Sequence, residues 1–170
     1  MIIKGRVWRF GNDIDTDQIY PGKYLPIIDK KEMARHAMEG TEIGECFINN
    51  VKDGDIIVAG TNFGCGSSRE HATVAIKGCG IPVVIAQSFA SIFRRNCVNI
   101  GLPILQLKDI EKIYDGDIVE VNLNNGKVKN ITQNKCYKAI LVSQLESEIM
   151  NAGGLLAYLK QMKQERCSDG

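Results

Sequence analysis

The chain has 170 residues, of which 44% are hydrophobic and 24% charged, a size and composition that fit one globular domain over residues 1–170 and exclude disorder along most of it. Lys and Arg total 21 against 20 Asp and Glu, so the net charge of +1 leaves no surplus of cations for a nucleic-acid backbone or an anionic membrane. The apolar run at residues 81–86 falls far short of the ~20 needed to cross a bilayer, and the alternating start MIIKGRVWRF does not read as a signal peptide, so a cytoplasmic protein is expected.

Residues 2–10 alternate imperfectly and predict a half-buried strand. A polar, turn-rich stretch, GNDIDTDQIYPGKY, follows. Asp29 opens D-K-K-E, a capping-box pattern, and Met33, Ala34, Ala37 and Met38 stand at helical spacing before a stop at Gly40. Residues 41–54 show no clear period and are expected to be irregular, with a turn at Asp53 and Gly54. Residues 55–59 predict an apolar strand, 60–68 a loop rich in glycine and serine, and 68–77 a helix closed by Gly78 and Gly80. A strand over 82–86, a helix over 88–99 with its own N-terminal serine, and a strand over 102–107 come next. That alternation implies a parallel βαβαβ core with right-handed crossovers. Residues 117–123 and 127–131 flank the turn signal Asn124, Asn125, Gly126 and predict a hairpin, and 143–166 one or two short helices broken at Gly153 and Gly154. The expected fold is α/β, a parallel core with flanking antiparallel strands.

The segment NFGCGSSREH, residues 62–71, leaves a buried strand and enters a helix, where open α/β sheets bind ligands. Glycines admit close backbone approach, the first amides of a helix can hold an anion, and Arg69 can grip a carboxylate with two parallel hydrogen bonds. Three common motifs do not match. A P-loop needs a lysine before its hydroxyl residue, a dinucleotide fingerprint needs glycine where Arg69 stands, and a nucleophile elbow needs G-x-S-x-G. Two bland alternatives stay open: a well-capped helix after a tight turn, and a Ser67–His71 pair that is either a hydrolase-like dyad or plain packing. His36 is expected on a helix surface without a cluster of partners. The cysteines, Cys46, Cys65, Cys79, Cys97, Cys136 and Cys167, form no C-x-x-C pair, so no zinc ribbon or dithiol motif is present, and most are expected to be small core residues.

Four blocks, FGNDIDTDQIYPGKYL, GDIIVAGTNFGCGSSREHA, IAQSFASIFRRNCVNIGLP and AGGLLAYLK, resemble the small subunits of 3-isopropylmalate dehydratases in the aconitase superfamily, over nearly the whole chain. The resemblance implies a swivelling β/β/α domain that works with a large subunit. It also implies a hydro-lyase reaction that moves a hydroxyl between adjacent carbons of a malate-type dicarboxylate, as in leucine biosynthesis. Ser67 would be the base for the weakly acidic C–H, Ser68 and Arg69 would bind the substrate carboxylate, and Asp17 would be an active-site acid. The Lewis acid would be a 4Fe-4S cluster held by the large subunit, with no metal on this chain, where Cys65 has no ligand set around it. Tyr24, Leu25, Pro26, Ile27 and Ile28 fall where family members select the substrate's side group. Four apolar residues without arginine favour an alkyl group over a third carboxylate, because burying an unpaired carboxylate is costly. Dimethylmalate- and methylmalate-type acids stay open beside isopropylmalate, with the homoaconitase type as a further alternative. Ser91 stands where arginine is usual and Arg94 where tyrosine is common, both expected at the edge facing the large subunit. Residues 41–50 differ in length and composition from the common pattern.

Overall fold

The four parallel strands β1 (Ile2–Arg9), β2 (Ile56–Ala59), β3 (Val84–Ala86) and β4 (Ile104–Gln106) lie side by side in a computed structural model that describes residues 1–168. On the other side of β1, three antiparallel strands continue the sheet: β5 (Ile118–Asn122), β6 (Lys127–Asn130) and β7 (Lys135–Lys138). The order across the sheet is β4-β3-β2-β1-β5-β6-β7. β1 is shared: residues Val7, Trp8 and Arg9 pair with β2, while Ile2 through Arg6 pair with β5.

The helices are α1 (Thr16–Ile19), α2 (Lys30–Ala34), α3 (Gly44–Asn50), α4 (Glu70–Gly78), α5 (Ser91–Ile100), α6 (Gln144–Asn151) and α7 (Leu155–Ser168), with a 3₁₀ turn at Gly22–Tyr24. Ile57, Ala59, Val84, Ala86 and Ile104 pack with Ile19, Met33, Phe47, Ala72, Ile76 and Phe93 from the helices. The alternate residues Ile56, Val58, Ile85 and Leu105 pack with Val119, Val121 and Val128. The antiparallel strands therefore cover the second face of the parallel ones, giving layers of strand, strand and helix. Strands buried on both faces read as unbroken apolar runs, which is why β2, β3 and β4 were legible. Two buried polar residues are fully served. Asp55 accepts from Trp8 Nε1 and Lys52 N, both at 2.9 Å, and Asp117 accepts from Asn130, Gln133 and the Tyr114 amide.

The structure corrects several expectations. Residues 41–54 are not irregular throughout, since α3 forms there with Phe47 buried edge-on to Trp8 at 5.2 Å. Asp29 caps α2 by accepting from Glu32 N, but the helix ends at Ala34. Met38 takes φ +61° and donates its amide to Ile19 O at 2.7 Å, which turns the chain toward α1 instead of prolonging the helix. Ser68 lies before α4, whose N-cap is Arg69. Ser88 does not cap α5; Ala90 does, and the Ser88 hydroxyl accepts from Asn62 N at 2.8 Å. β7 has no apolar alternation and went unpredicted. Arg94 donates to both carboxylate oxygens of Glu146 at 3.0 and 2.8 Å and ties α6 to the body of the protein, with its side chain still 41% exposed. Of the described cysteines only Cys97 is fully buried; Cys65 and Cys79 are half-buried, Cys46 and Cys136 exposed, and the Cys167 side chain lies outside the described residues. Among the described residues no helix is long and apolar enough to cross a membrane.

Candidate active site

Two loops leave the C-terminal ends of adjacent parallel strands, one after β1 and one after β2, at the edge of the sheet where such folds bind ligands. They are bonded together step by step. Gly60 N donates to Gly11 O, Asp13 N to Thr61 O, Gly64 N to Ile14 O and Thr16 N to Cys65 O, all at 2.8–2.9 Å. Asn12 accepts from Thr61 N, and Asn62 donates to the Asp13 carboxylate, each at 2.9 Å. Gly64 has φ +79°, and a Cβ there would meet the Phe93 ring at 2.1 Å, so this position needs glycine on two counts. The second loop is thereby held close against the first.

At the end of this seam stands Ser67, exposed, with its hydroxyl 3.1 Å from that of Thr16. Thr16 is only 2% exposed, and its Oγ1 already accepts from Ser67 N at 3.1 Å. Either hydroxyl can donate within the pair, because Thr16 Oγ1 keeps a second lone pair beside the one that accepts from Ser67 N. Against a negative charge on Ser67 Oγ, which has no proton to offer, the Thr16 hydroxyl can only donate. Asp15 fixes α1 with a complete capping box, accepting from Gln18 N while Gln18 Oε1 accepts from Asp15 N.

Asp17 and Arg69 come together as an ion pair, and Gly22 N also donates to the same Asp17 oxygen at 2.9 Å. The Arg69 guanidinium, followed by the Gly22 amide, holds the Asp17 carboxyl below the usual carboxylate range. Arg69 is therefore oriented by Asp17. A Cβ on Gly22 would lie 3.3 Å from an Arg69 nitrogen, so the 3₁₀ turn abuts this pair. Ser68 is exposed beside it, its carbonyl accepting from Asn96 at 3.4 Å.

The 3₁₀ turn leads into the predicted selectivity segment. Leu25, Pro26 and Ile28 are exposed, Ile28 at 90%, while Ile27 packs on the core. Ile28 shares a groove of about 580 Å³ with Glu70 and His71 of the first turn of α4. Tyr24 does not face open space with them, since its hydroxyl donates to Glu39 and its ring lies on His36. His36 is thus part of a cluster, contrary to expectation. His71 stacks on Tyr20 at 5.9 Å, and the partner of Ser67 is Thr16, so no Ser–His dyad forms. Burial, followed by Asp15 and Asp13, raises the Cys65 thiol, which disfavours the thiolate needed of a nucleophile or metal ligand. Among the described residues no group of three His, Cys, Asp or Glu could hold a metal. Thr16, Glu39 and His36 were not foreseen as partners. Thr16 lies inside a quoted block, but its role depends on a contact 51 residues away.

Residues 7–110 match the family model described as the aconitase C-terminal domain. The chain is 53% identical to the 3-isopropylmalate dehydratase small subunit of Hydrogenobaculum sp., covering 94% of this chain and 97% of that protein. It is 54% identical to the methanogen homoaconitase small subunit of Methanocaldococcus jannaschii, covering 96% and 94%. The crystal structure of a 3-isopropylmalate dehydratase from Methanocaldococcus jannaschii superposes with a TM-score of 0.96 at 50% identity over all of both chains.

Proposed function

This chain belongs to the 3-isopropylmalate dehydratase small subunits of the aconitase superfamily, and on that premise we propose that it completes, with an iron–sulfur large subunit, a hydro-lyase that converts 2-isopropylmalate to 3-isopropylmalate through dehydration and rehydration. The observation that carries the reading is the seam between the two loops, which aims an exposed serine oxygen and an oriented arginine from one rim.

In this reading Ser67, as alkoxide, takes the proton from the carbon next to a carboxylate and holds it as a hydroxyl until rehydration returns it. A serine oxygen is a poor base in water, and it becomes one only where donors stabilise its charge. The Thr16 hydroxyl supports this as a donor at 3.1 Å. Arg69, held in place by Asp17, binds a substrate carboxylate together with Ser68. The 4Fe-4S cluster, which supplies the Lewis acid for the departing hydroxyl, belongs to the large subunit. Leu25, Pro26 and Ile28 form the wall for the alkyl group, with Ile27 packed on the core behind them and Tyr24 fixing the start of that wall.

A homoaconitase-type substrate would need a cation facing its third carboxylate. Residues 25–28 carry no cation, and Lys23 beside them is already bound to Glu39 at 3.1 Å, which favours alkyl acids of the isopropyl, methyl or dimethyl type; Lys30 and Lys77, which line the groove with Ile28, are the cations a third carboxylate would have to reach. The test is co-expression with a dehydratase large subunit and a substrate panel on the complex. Expected are turnover of 2-isopropylmalate by the complex, none by this chain alone, and a loss of about a thousandfold in Ser67→Ala without loss of assembly. Turnover by the lone chain, or full activity in Ser67→Ala, would overturn the proposal.

A further inference from the structure

Residues 25–28 bridge two fixed points. At the far end Asp29 caps α2, accepting from Glu32 N at 2.9 Å. At the near end Tyr24 is held three ways. Its hydroxyl donates to Glu39 Oε1 at 2.6 Å, its ring stacks on the His36 imidazole with centroids 3.6 Å apart, and its carbonyl accepts from the Tyr20 hydroxyl at 2.8 Å. Glu39 gathers the other donors as well: Lys23 Nζ lies 3.1 Å from Oε1 and His36 Nδ1 2.7 Å from Oε2. The remaining ring nitrogen of His36 stands 3.8 Å from Glu32. Burial acts to raise the Glu39 carboxyl, but the hydrogen bonds from Tyr24, His36 and Lys23 outweigh it and keep the group ionised. Glu39 has no contact with Ser67, Asp17 or Arg69, whose hydrogen bonds go elsewhere.

We propose that Glu39 is the positioning residue for the 25–28 segment: by fixing Tyr24 it sets where Leu25, Pro26 and Ile28 stand after the 3₁₀ turn that abuts the Asp17–Arg69 pair, and hence which alkyl group the site accepts. The second half rests on the proposed reading of these residues as the substrate wall. The charge matters as well as the shape, because three donors converge on one carboxylate and an amide in its place meets them with one acceptor oxygen and two donors of its own. Segments tied at both ends present their side chains with little left to order on binding, so untying one end weakens binding of a fitted substrate more than it slows the chemical step.

The variants are Glu39→Gln, Tyr24→Phe and their combination. In the purified full chain, hydrogen exchange is read at the amides of Leu25 and Ile27, which donate to Gly22 O and Tyr24 O at 3.2 and 3.0 Å. Each single variant should speed exchange there by about fivefold, and the double variant should add little to Glu39→Gln, because the bond that Tyr24→Phe removes is one of those that Glu39→Gln disturbs. In the complex, KM for 2-isopropylmalate should rise about tenfold in Glu39→Gln with kcat within about twofold, and the preference over 2-methylmalate should narrow. Unchanged exchange, additive variants, or a fall in kcat at constant KM would overturn the proposal. A wild-type complex inactive on every alkylmalate would instead overturn the function, and the exchange data would still decide the anchoring.

Discussion

Replacing Thr16 by valine keeps the shape of the side chain and deletes one hydroxyl. Two contacts go with it. The Ser67 amide loses its acceptor and the Ser67 hydroxyl its partner, each at 3.1 Å. Ser67 is exposed, so water can take over its amide, and stability should fall by only about 1 kcal/mol, the net worth of one exchanged hydrogen bond. For a chain of this length that is a drop of roughly 2–4 °C in Tm. Catalysis should suffer more, because a hydrogen bond to a charged oxygen is worth about 2–3 kcal/mol, or roughly 30- to 150-fold in kcat at ~1.4 kcal/mol per decade. The assay is steady-state kinetics on the reconstituted complex beside calorimetry of the chain, with Thr16→Ser expected to restore most of the rate. A Thr16→Val enzyme with kcat within about twofold of wild type would refute the claim that this hydroxyl supports the charge on Ser67.

The Asp17 carboxyl is depressed in the folded chain, so its pairing with Arg69 holds at pH above the ordinary carboxylate value of ~3.9 and is lost as pH falls through the lowered folded value. Carboxyl carbon shifts in NMR should therefore show Asp17 titrating below ~3.9; a midpoint at or above it would refute the pair. Alkylation near pH 8, followed by mass spectrometry, should label the exposed Cys46 and Cys136 first. Burial pushes the half-buried Cys79 thiol up to about 12 and raises that of the fully buried Cys97 as well, so Cys79 should react more slowly than the exposed pair and Cys97 only on unfolding; fast labelling of Cys97 would contradict its burial. Gly64→Ala places a methyl group against Phe93 at a left-handed backbone position and should cost about 3 kcal/mol in chemical denaturation, the sum of strain and overpacking. A loss below about 1 kcal/mol would show that the loop adapts.

Legibility followed burial. The parallel strands β2, β3 and β4 announce themselves because both faces are covered, and the loop after β2 does so through its glycines and hydroxyls. α3 was hidden because only Phe47 and Gly44 are buried in it, and a glycine start gives no capping signal. β7, Lys-Cys-Tyr-Lys, pairs along β6 and sends only Tyr137 onto the core, too little for an apolar period to show. Within the site, Ser67, Asp17 and Arg69 could be picked out from the quoted blocks, but their mutual arrangement could not. That Asp17 would meet Arg69, and Thr16 would meet Ser67, depends on how the two loops lie together. His36 looked like a lone surface residue because its partners, Tyr24 and Glu39, come from either side of α2.

The spacing of these partners is nearly constant along the seam: 49 residues from Asp13 to Asn62, 51 from Thr16 to Ser67 and 52 from Asp17 to Arg69. Because β1 and β2 point the same way, the two stretches behave like graduated rulers laid edge to edge. Deleting a single residue between positions 11 and 14 slides one scale along the other and mismatches the later marks together. Residues 41–54 sit between the scales and belong to neither, so a change of length there leaves the marks in step as long as Phe47 keeps its seat against Trp8.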